Sequence, residues 1–347
     1  MPVRMKDIAD DLKISVVTVS RALRNGPDVS PETRACVLKR AHELNYRPNL
    51  AARALVTGRT NLMGLIVPDL VHSFFSELAS ALSGVLRTAG FSLVIASSEE
   101  DPKLEQQEVD HLLARGVDAL LIASTEQSME TFRRVREHNI PYVLLDRWVP
   151  GMPANFVGVN DEVVGCIATE HLIEIGCRRI AHICGTEVST ALGRLKGYRQ
   201  SLARHGMPIK PEYIANSDHL DKSAAAAGYQ AAQKLLEVDP PPDAVFCCND
   251  PVATGAMSAI QDAGFRIPED IALIGCGNLQ YDSLLRVPLS SVDQRSEMIG
   301  RRAAELAIRL VSPDARFRPK AILLEPTLIV RDSTRKRHPQ KTTEAVA

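Results

Sequence analysis

The chain has 347 residues, too many for one ordinary domain and enough for two or three folded units. Hydrophobic residues make up 45% and charged residues 24%, which excludes a disordered chain, and no uninterrupted apolar run reaches the ~18 residues of a membrane span. Net charge is −1, but residues 1–60 hold 11 Lys and Arg against 6 Asp and Glu, and the remainder holds 30 against 36; a basic head on an acidic body is the asymmetry of a nucleic-acid-binding module fused to something else.

The N-terminus, Met1-Pro2-Val3-Arg4-Met5-Lys6-Asp7, has basic residues without an apolar stretch behind them and does not read as a secretory signal. Seven cysteines, Cys36, Cys166, Cys177, Cys184, Cys247, Cys248 and Cys276, form no C-x-x-C pair. An odd, scattered set fits buried thiols in a reducing cytoplasm better than disulfides or a metal site.

The first ~45 residues read as three short helices. Ile8, Ala9 and Leu12 lie at helical spacing between Lys6 and Lys13. Ser15 can cap a second helix running to Leu23, with Val19, Ala22 and Leu23 inward. Asn25-Gly26-Pro27 is a turn signal, and Ser30-Pro31 opens a third helix striped by Val37, Ala41 and Leu44. Residues 47–60 form a connector around Leu50–Leu55, a helix-prone run of about two turns that is too short to be stable alone in water. From Leu62 the texture changes. Strand-like runs (Leu62–Val67, Ser92–Ala96, Ala119–Ala123, Tyr142–Leu145, Phe156–Val159, Ile180–Ile183, Ala244–Cys247, Ile271–Ile274) alternate with amphipathic helices such as Ser76–Ala89, Glu105–Arg115 and Asp161–Ile175. That alternation predicts parallel α/β architecture, and the strands are too many for one compact sheet, so two similar lobes with a cleft are expected. The stretch from Ser333 onward is polar, lacks periodicity and reads as a loose tail.

The most specific signal is Lys6-Asp7-Ile8-Ala9 followed by Ser15-Val16-Val17-Thr18-Val19-Ser20-Arg21-Ala22-Leu23. A helix-turn-helix places its second helix in the major groove. Ser15, Thr18 and Ser20 supply small polar groups for phosphates, and Arg21 supplies a bidentate donor for a guanine edge. Together with Val29-Ser30-x-x-Thr33-Arg34, Leu44-Asn45-Tyr46-x-Pro48-Asn49, Ala52-Arg53-x-Leu55 and Leu328-Ile329-Val330-Arg331-Asp332-Ser333, this text resembles the LacI/GalR family over nearly the whole chain.

The resemblance implies an all-α helix-turn-helix head (1–46), a hinge helix or linker (47–60), a two-lobed periplasmic-binding-protein-like α/β body with parallel sheets (61–332) and a flexible tail (333–347). It implies a DNA-binding transcriptional regulator, a repressor by family default, acting as a homodimer on palindromic double-stranded DNA. A small-molecule effector, a sugar or sugar derivative, would control that binding; no cofactor, metal, membrane or catalytic residue is called for. Base-reading positions match Val16, Val17 and Arg21. Valine cannot hydrogen-bond a base but can press on thymine methyl groups; alternatively Val16 packs on Val19 and Leu23. In the hinge, Leu55 matches a minor-groove wedge, with Asn49, Ala52 and Arg53 nearby.

Ligand-facing positions match Ser73 and Phe74 in His72-Ser73-Phe74-Phe75, Asp146 and its neighbour Arg147, Arg194, and Asn249-Asp250. Phe74 offers an apolar platform, and Asp146, Arg194 and Asn249 offer fixed polar groups; Phe75 as core and Asp250 as a helix cap are the plainer alternatives. The stretch Gly275-Cys276-Gly277-Asn278 departs from the family, with Gly277 where relatives carry an acid and Asn278 as a substitute. A second aromatic platform is also missing, the nearest candidates being His219 and Ser223. A free solute-binding protein would need an export signal and no basic head. An enzyme would need a nucleophile, phosphate or metal motif, none of which occurs; His171 and His182 read as structural.

Overall fold

The structure is a computed structural model that describes residues 3–47, 58–125, 129–149, 151–185, 187–217, 223–312 and 318–335. By contacts the chain divides into Met1–Thr60 and Asn61–Ala347.

In the head, local chemistry sets each boundary. Helix α1 (Met5–Leu12) ends where Lys13 turns left-handed and returns its N–H to Ala9. Ser15 caps α2 (Val16–Leu23), its Oγ accepting from the Thr18 N–H at 3.0 Å. Ser30 does the same for α3 (Pro31–Glu43), where Pro31 sits at a position whose N–H has no helical partner to lose. The three helices bury Ile8, Ala9, Val19, Ala22, Val29, Val37 and Ala41 in one cluster. Arg40 of α3 donates to Asp11 of α1, with Nε at 2.9 Å. The connector run Leu50–Leu55 lies outside the described residues.

The body holds two six-stranded sheets among the described residues. The first orders β11-β5-β4-β3-β1-β2, built from β1 (Leu62–Val67), β2 (Ser92–Ser97), β3 (Ala119–Ile122), β4 (Tyr142–Leu145), β5 (Asn155–Val159) and β11 (Ala321–Leu324). Every pairing is parallel. Its faces carry α4 (Ser73–Thr88), α5 (Pro102–Ala114), α6 (Met129–Glu137) and α11 (Ser296–Leu310). Met63, Leu65 and Val67 pack with Leu78, Leu82 and Ile299 on one face, and Ile66 and Leu120 with Val109 and Phe132 on the other. Burial on both faces is why these strands read as continuous apolar runs.

The second sheet orders β12-β10-β9-β8-β6-β7, from β6 (Ile180–Cys184), β7 (Ile214–Asn216), β8 (Ala244–Cys247), β9 (Ala272–Cys276), β10 (Ser290–Asp293) and β12 (Thr327–Ile329). It is parallel except for the β10–β12 edge. Helices α7 (Asp161–Glu174), α8 (Ser189–Arg204), α9 (Ala224–Leu236) and α10 (Asp250–Asp262) flank it. The chain passes between sheets after β5, after β10 and between β11 and β12.

Four strands escaped the sequence reading: β7, β10, β11 and β12. All are three or four residues long, and β10 reads Ser-Ser-Val-Asp. Its serines are buried because Ser290 bonds Thr334 and Arg331 and Ser291 bonds Asp250. The first residues of the stretch read as a tail are ordered. Ser333 and Thr334 are buried; Ser333 Oγ donates to the Leu273 carbonyl at 2.6 Å, and Thr334 Oγ1 meets His171 Nε2 at 2.8 Å. A polar segment can be ordered when its hydroxyls satisfy buried backbone groups, a pairing that polarity alone does not reveal.

Candidate nucleic-acid interface and effector cleft

Helix α2 buries Val19 and Ala22 and turns its opposite face to solvent. Ser15, Val16, Val17 and Arg21 are exposed, and Thr18 and Ser20 are half-buried. Val16 is 40% and Val17 60% exposed, so neither is consumed by the head's core. Arg21 meets Asp28 at 3.6 Å in an exposed pair, which leaves it largely free to exchange partners. Ser20 Oγ accepts from Arg24 at 2.7 Å. Asn49, Ala52, Arg53 and Leu55 lie outside the described residues.

In the body, a cavity of about 310 Å³ opens between the lobes. It sits beyond the carboxyl ends of β1, β4, β6, β8 and β9, where open α/β sheets leave space for a ligand. From the first lobe come Asp69, His72, Phe74, Phe75, Glu99, Glu100, Asp146 and Arg147; from the second, Thr190, Ala191, Arg194, Ser223, Cys248, Asn249 and Cys276, with Gln294 on a crossover.

Two arginines dominate its floor. Arg194 of α8 is 6% exposed. Its Nε donates to Asp161 Oδ1 at 2.9 Å and its Nη1 to the Cys248 carbonyl. This clamp depends on close packing of α7 against α8. A Cβ on Gly197 would stand 2.1 Å from the Glu162 carbonyl oxygen, and one on Gly165 2.1 Å from that of Arg194. Only glycine permits the approach that brings Asp161 to Arg194. Arg147 makes a bidentate pair with Glu100, both bonds at 2.7 Å.

Asp146 lies between these guanidinium groups in a left-handed conformation (φ 59°) and accepts from Gln294 at 3.3 Å. Burial pushes its carboxyl up despite Arg194 and Arg147. His72 caps α4 with Nδ1, which accepts from the Phe74 N–H at 3.3 Å. That bond places the ring proton on Nε2. Burial holds the imidazole down at about 4, so it is neutral at ordinary pH.

Phe74, Asp146, Arg194 and Asn249 thus converge on one cavity, as does Ser223. Phe74 and Phe75 meet edge-to-face at 5.1 Å, and both belong to the first lobe's core while lining the cleft. Asn249, not Asp250, is the cap of α10: its Oδ1 accepts from the Val252 N–H at 2.9 Å. Two candidates are not brought in. Ser73 begins α4 between the lining residues His72 and Phe74 but does not itself line the cavity. Asn278 gives its Oδ1 to Arg331 at 2.5 Å. Its left-handed backbone (φ 54°) follows Gly277, where a Cβ would meet Asp250 Oδ2 at 2.8 Å. His219 lies outside the described residues. Glu100 and Gln294 had no sequence signal, because each is held at the cleft by a partner distant along the chain, Arg147 and Asp146. His171 and His182 are buried away from the cleft lining. Among the described residues, no His/Cys/Asp/Glu cluster is placed to hold a metal, and no helix is long and apolar enough to cross a membrane.

Comparison with known proteins bears directly on these two surfaces. Residues 4–49 match bacterial regulatory proteins of the lacI family, and residues 169–334 match the periplasmic binding protein-like domain. The ribose operon repressor of Haemophilus influenzae is 33% identical over 95% of this chain and 98% of its own. This chain belongs to the LacI family. Among solved structures, this LacI-family regulator resembles the lac repressor dimer bound to operator and the anti-inducer ONPF, with TM-score 0.85 and 27% identity over 96% of this chain and 99% of that one. It also resembles the transcriptional regulator CelR–cellobiose complex, with TM-score 0.73 and 28% identity over 95% and 99%. The LacI-family regulator is therefore a DNA-binding transcription factor with a periplasmic-binding-protein-like effector domain, not an enzyme.

Proposed function

We propose that this protein is a homodimeric repressor of a palindromic operator and that an uncharged sugar or sugar derivative in the interlobe cleft controls its DNA binding. Residues 1–46 form the DNA-binding domain and 47–60 the hinge. Ser15, Thr18 and Ser20 hold phosphates, Val16, Val17 and Arg21 read base edges, and Asn49, Ala52, Arg53 and Leu55 serve the minor groove. The effector contacts Phe74, Asp146, Arg194 and Asn249.

One observation carries the effector class. Both cleft guanidinium groups are already neutralised, Arg147 by Glu100 and Arg194 by Asp161. Asp69 and Glu99 add further carboxylates to the lining. Among the described residues an anion would meet no guanidinium without a carboxylate partner, whereas hydroxyls find fixed donors and acceptors beside the Phe74 ring.

The test is selection of the full-length protein against a random duplex library, with and without D-ribose or cellobiose, sugars named with its relatives. A palindromic site should be enriched, and an effector sugar should change its occupancy. Arg194→Ala should select the same site without responding. A protein that retained every duplex alike, whatever sugar was present, would overturn the proposal.

A further inference from the structure

Residues 277–289 leave the second lobe and return to it. Leu279 is buried among Phe74, Phe75, Leu78 and Ile299 of the first lobe, and Tyr281 packs on that cluster. Leu285, Val287 and Leu289 then pack with Val252 and Met257 of the second. Two carboxyl groups meet where this segment turns back: Asp250, the first residue of α10, and Asp282, in the 3-10 turn Gln280–Ser283. Neither exposes any surface (0%).

Their surroundings differ. Asp250 accepts from Ser291 Oγ at 2.7 Å and from the Leu279 N–H at 3.2 Å. Neither oxygen of Asp282 has a well-formed hydrogen bond among the described residues; only the Leu279 N–H, already given to Asp250, faces it. Two buried carboxylates in contact cannot both ionise. Asp250, with two donors, carries the charge; Asp282 carries the proton and donates it to Asp250.

We propose that this shared proton is a latch between the lobes, holding segment 277–289 across their interface and leaving when the lobes part there. Its link to effector control rests on the cleft reading above: Asn249, which lines the cleft, caps the helix that begins with Asp250.

Charged and titratable neighbours are few. Arg331 faces both carboxyls, but it also donates to Asn278 and to the Leu289 carbonyl. Tyr281 and Glu77 add negative potential when ionised, and the Cys247 and Cys276 thiols are pushed well up by burial. Burial and Asp250 together push Asp282 up to about 9. Once the lobes separate and water reaches it, Asp282 returns to the ordinary carboxylate value of about 3.9. Opening at neutral pH then releases one proton, and each pH unit shifts the open-to-closed ratio by up to about tenfold toward open.

The ligand-free, full-length protein provides its own probe. Trp148 is its single tryptophan, half exposed, and its backbone N–H donates across the lobes to Ser189 Oγ at 3.1 Å. Trp148 emission followed from about pH 6 to about pH 10 should show a one-proton transition at or below about pH 9. That transition should be absent from Asp282→Asn, whose amide donates without titrating; tyrosine ionisation is common to both proteins. If Asp282→Asn does not fold, Asp282→Ser carries the same comparison. A wild-type curve without a transition, or the same transition in the variant, would overturn the latch. No effector enters this experiment, so its failure leaves the cleft reading standing, and failure of every sugar to act leaves the latch standing.

Discussion

In the proposed reading, base recognition turns on Arg21. It projects from a helix whose other exposed positions beside it, Val16 and Val17, are apolar. A valine-flanked arginine discriminates by one bidentate contact plus methyl packing. Arg21→Ala should weaken specific binding by about 1–3 kcal/mol and relax preference at one base pair, measured by competition against single-base operator variants. His182 illustrates the opposite fate of a polar side chain. It is stacked on Phe246 at 4.5 Å and near Tyr198 at 5.3 Å, and its Nδ1 lies 2.9 Å from the Phe246 carbonyl, which accepts and so fixes the proton there. Burial lowers it from 6.5 to about 4. The unfolded chain therefore takes up a proton first as pH falls, and the stability of the neutral ring, full above about pH 6.5, is lost toward pH 4. The loss is about 3 kcal/mol at most. Urea unfolding of wild type and His182→Phe should show the gap between them narrow across that window.

Helices α7 and α8 show how an element delivers a site. Glycine at Gly165 and Gly197 weakens each helix intrinsically, yet the close approach it permits brings a buried carboxylate to a buried guanidinium. Gly197→Ala should cost about 1–3 kcal/mol in urea unfolding, in spite of alanine's better helix propensity, because two backbones must separate. It should also blunt the effector response by withdrawing Asp161 from Arg194. The rim opposite is held differently. Glu99 and Glu100 are consecutive left-handed residues (φ 50° and 59°), a conformation that costs energy for side chains with a Cβ. The bidentate Glu100–Arg147 pair offsets part of that cost.

For the whole molecule, control requires two stable lobes and a weak hinge. Each sheet is covered on both faces by helices, whereas a helix of about two turns, as the sequence of the proposed hinge offers, is not stable alone in water. In the proposed homodimer, two such connectors on one palindrome would support each other. Operator affinity should therefore fall steeply below the dimer dissociation concentration, and Leu55→Ala should reduce specific binding far more than non-specific binding; sedimentation and gel shift on the same samples check both. The cleft and the latch belong to this scale as well. Phe74, Asp146, Arg194 and Asn249 were implied only by the family resemblance, whereas caps at Ser15 and Ser30 and the alternation of strands and helices were legible in the chain, because caps and periodicity act within about four residues. Segments of three or four polar residues such as β10 were not, since their burial depends on hydroxyl partners elsewhere. Nor was the pairing of Arg147 with Glu100, 47 positions away, of Arg194 with Asp161, 33 away, or of Asp146 with Gln294, 148 away. Sequence alone determined the head's helices, the longer apolar strands and amphipathic helices of the body, and what kind of regulator they compose. Tertiary structure decided which charges are neutralised and which carboxyl keeps its proton, because burial and contact between remote residues exist only once the chain has folded.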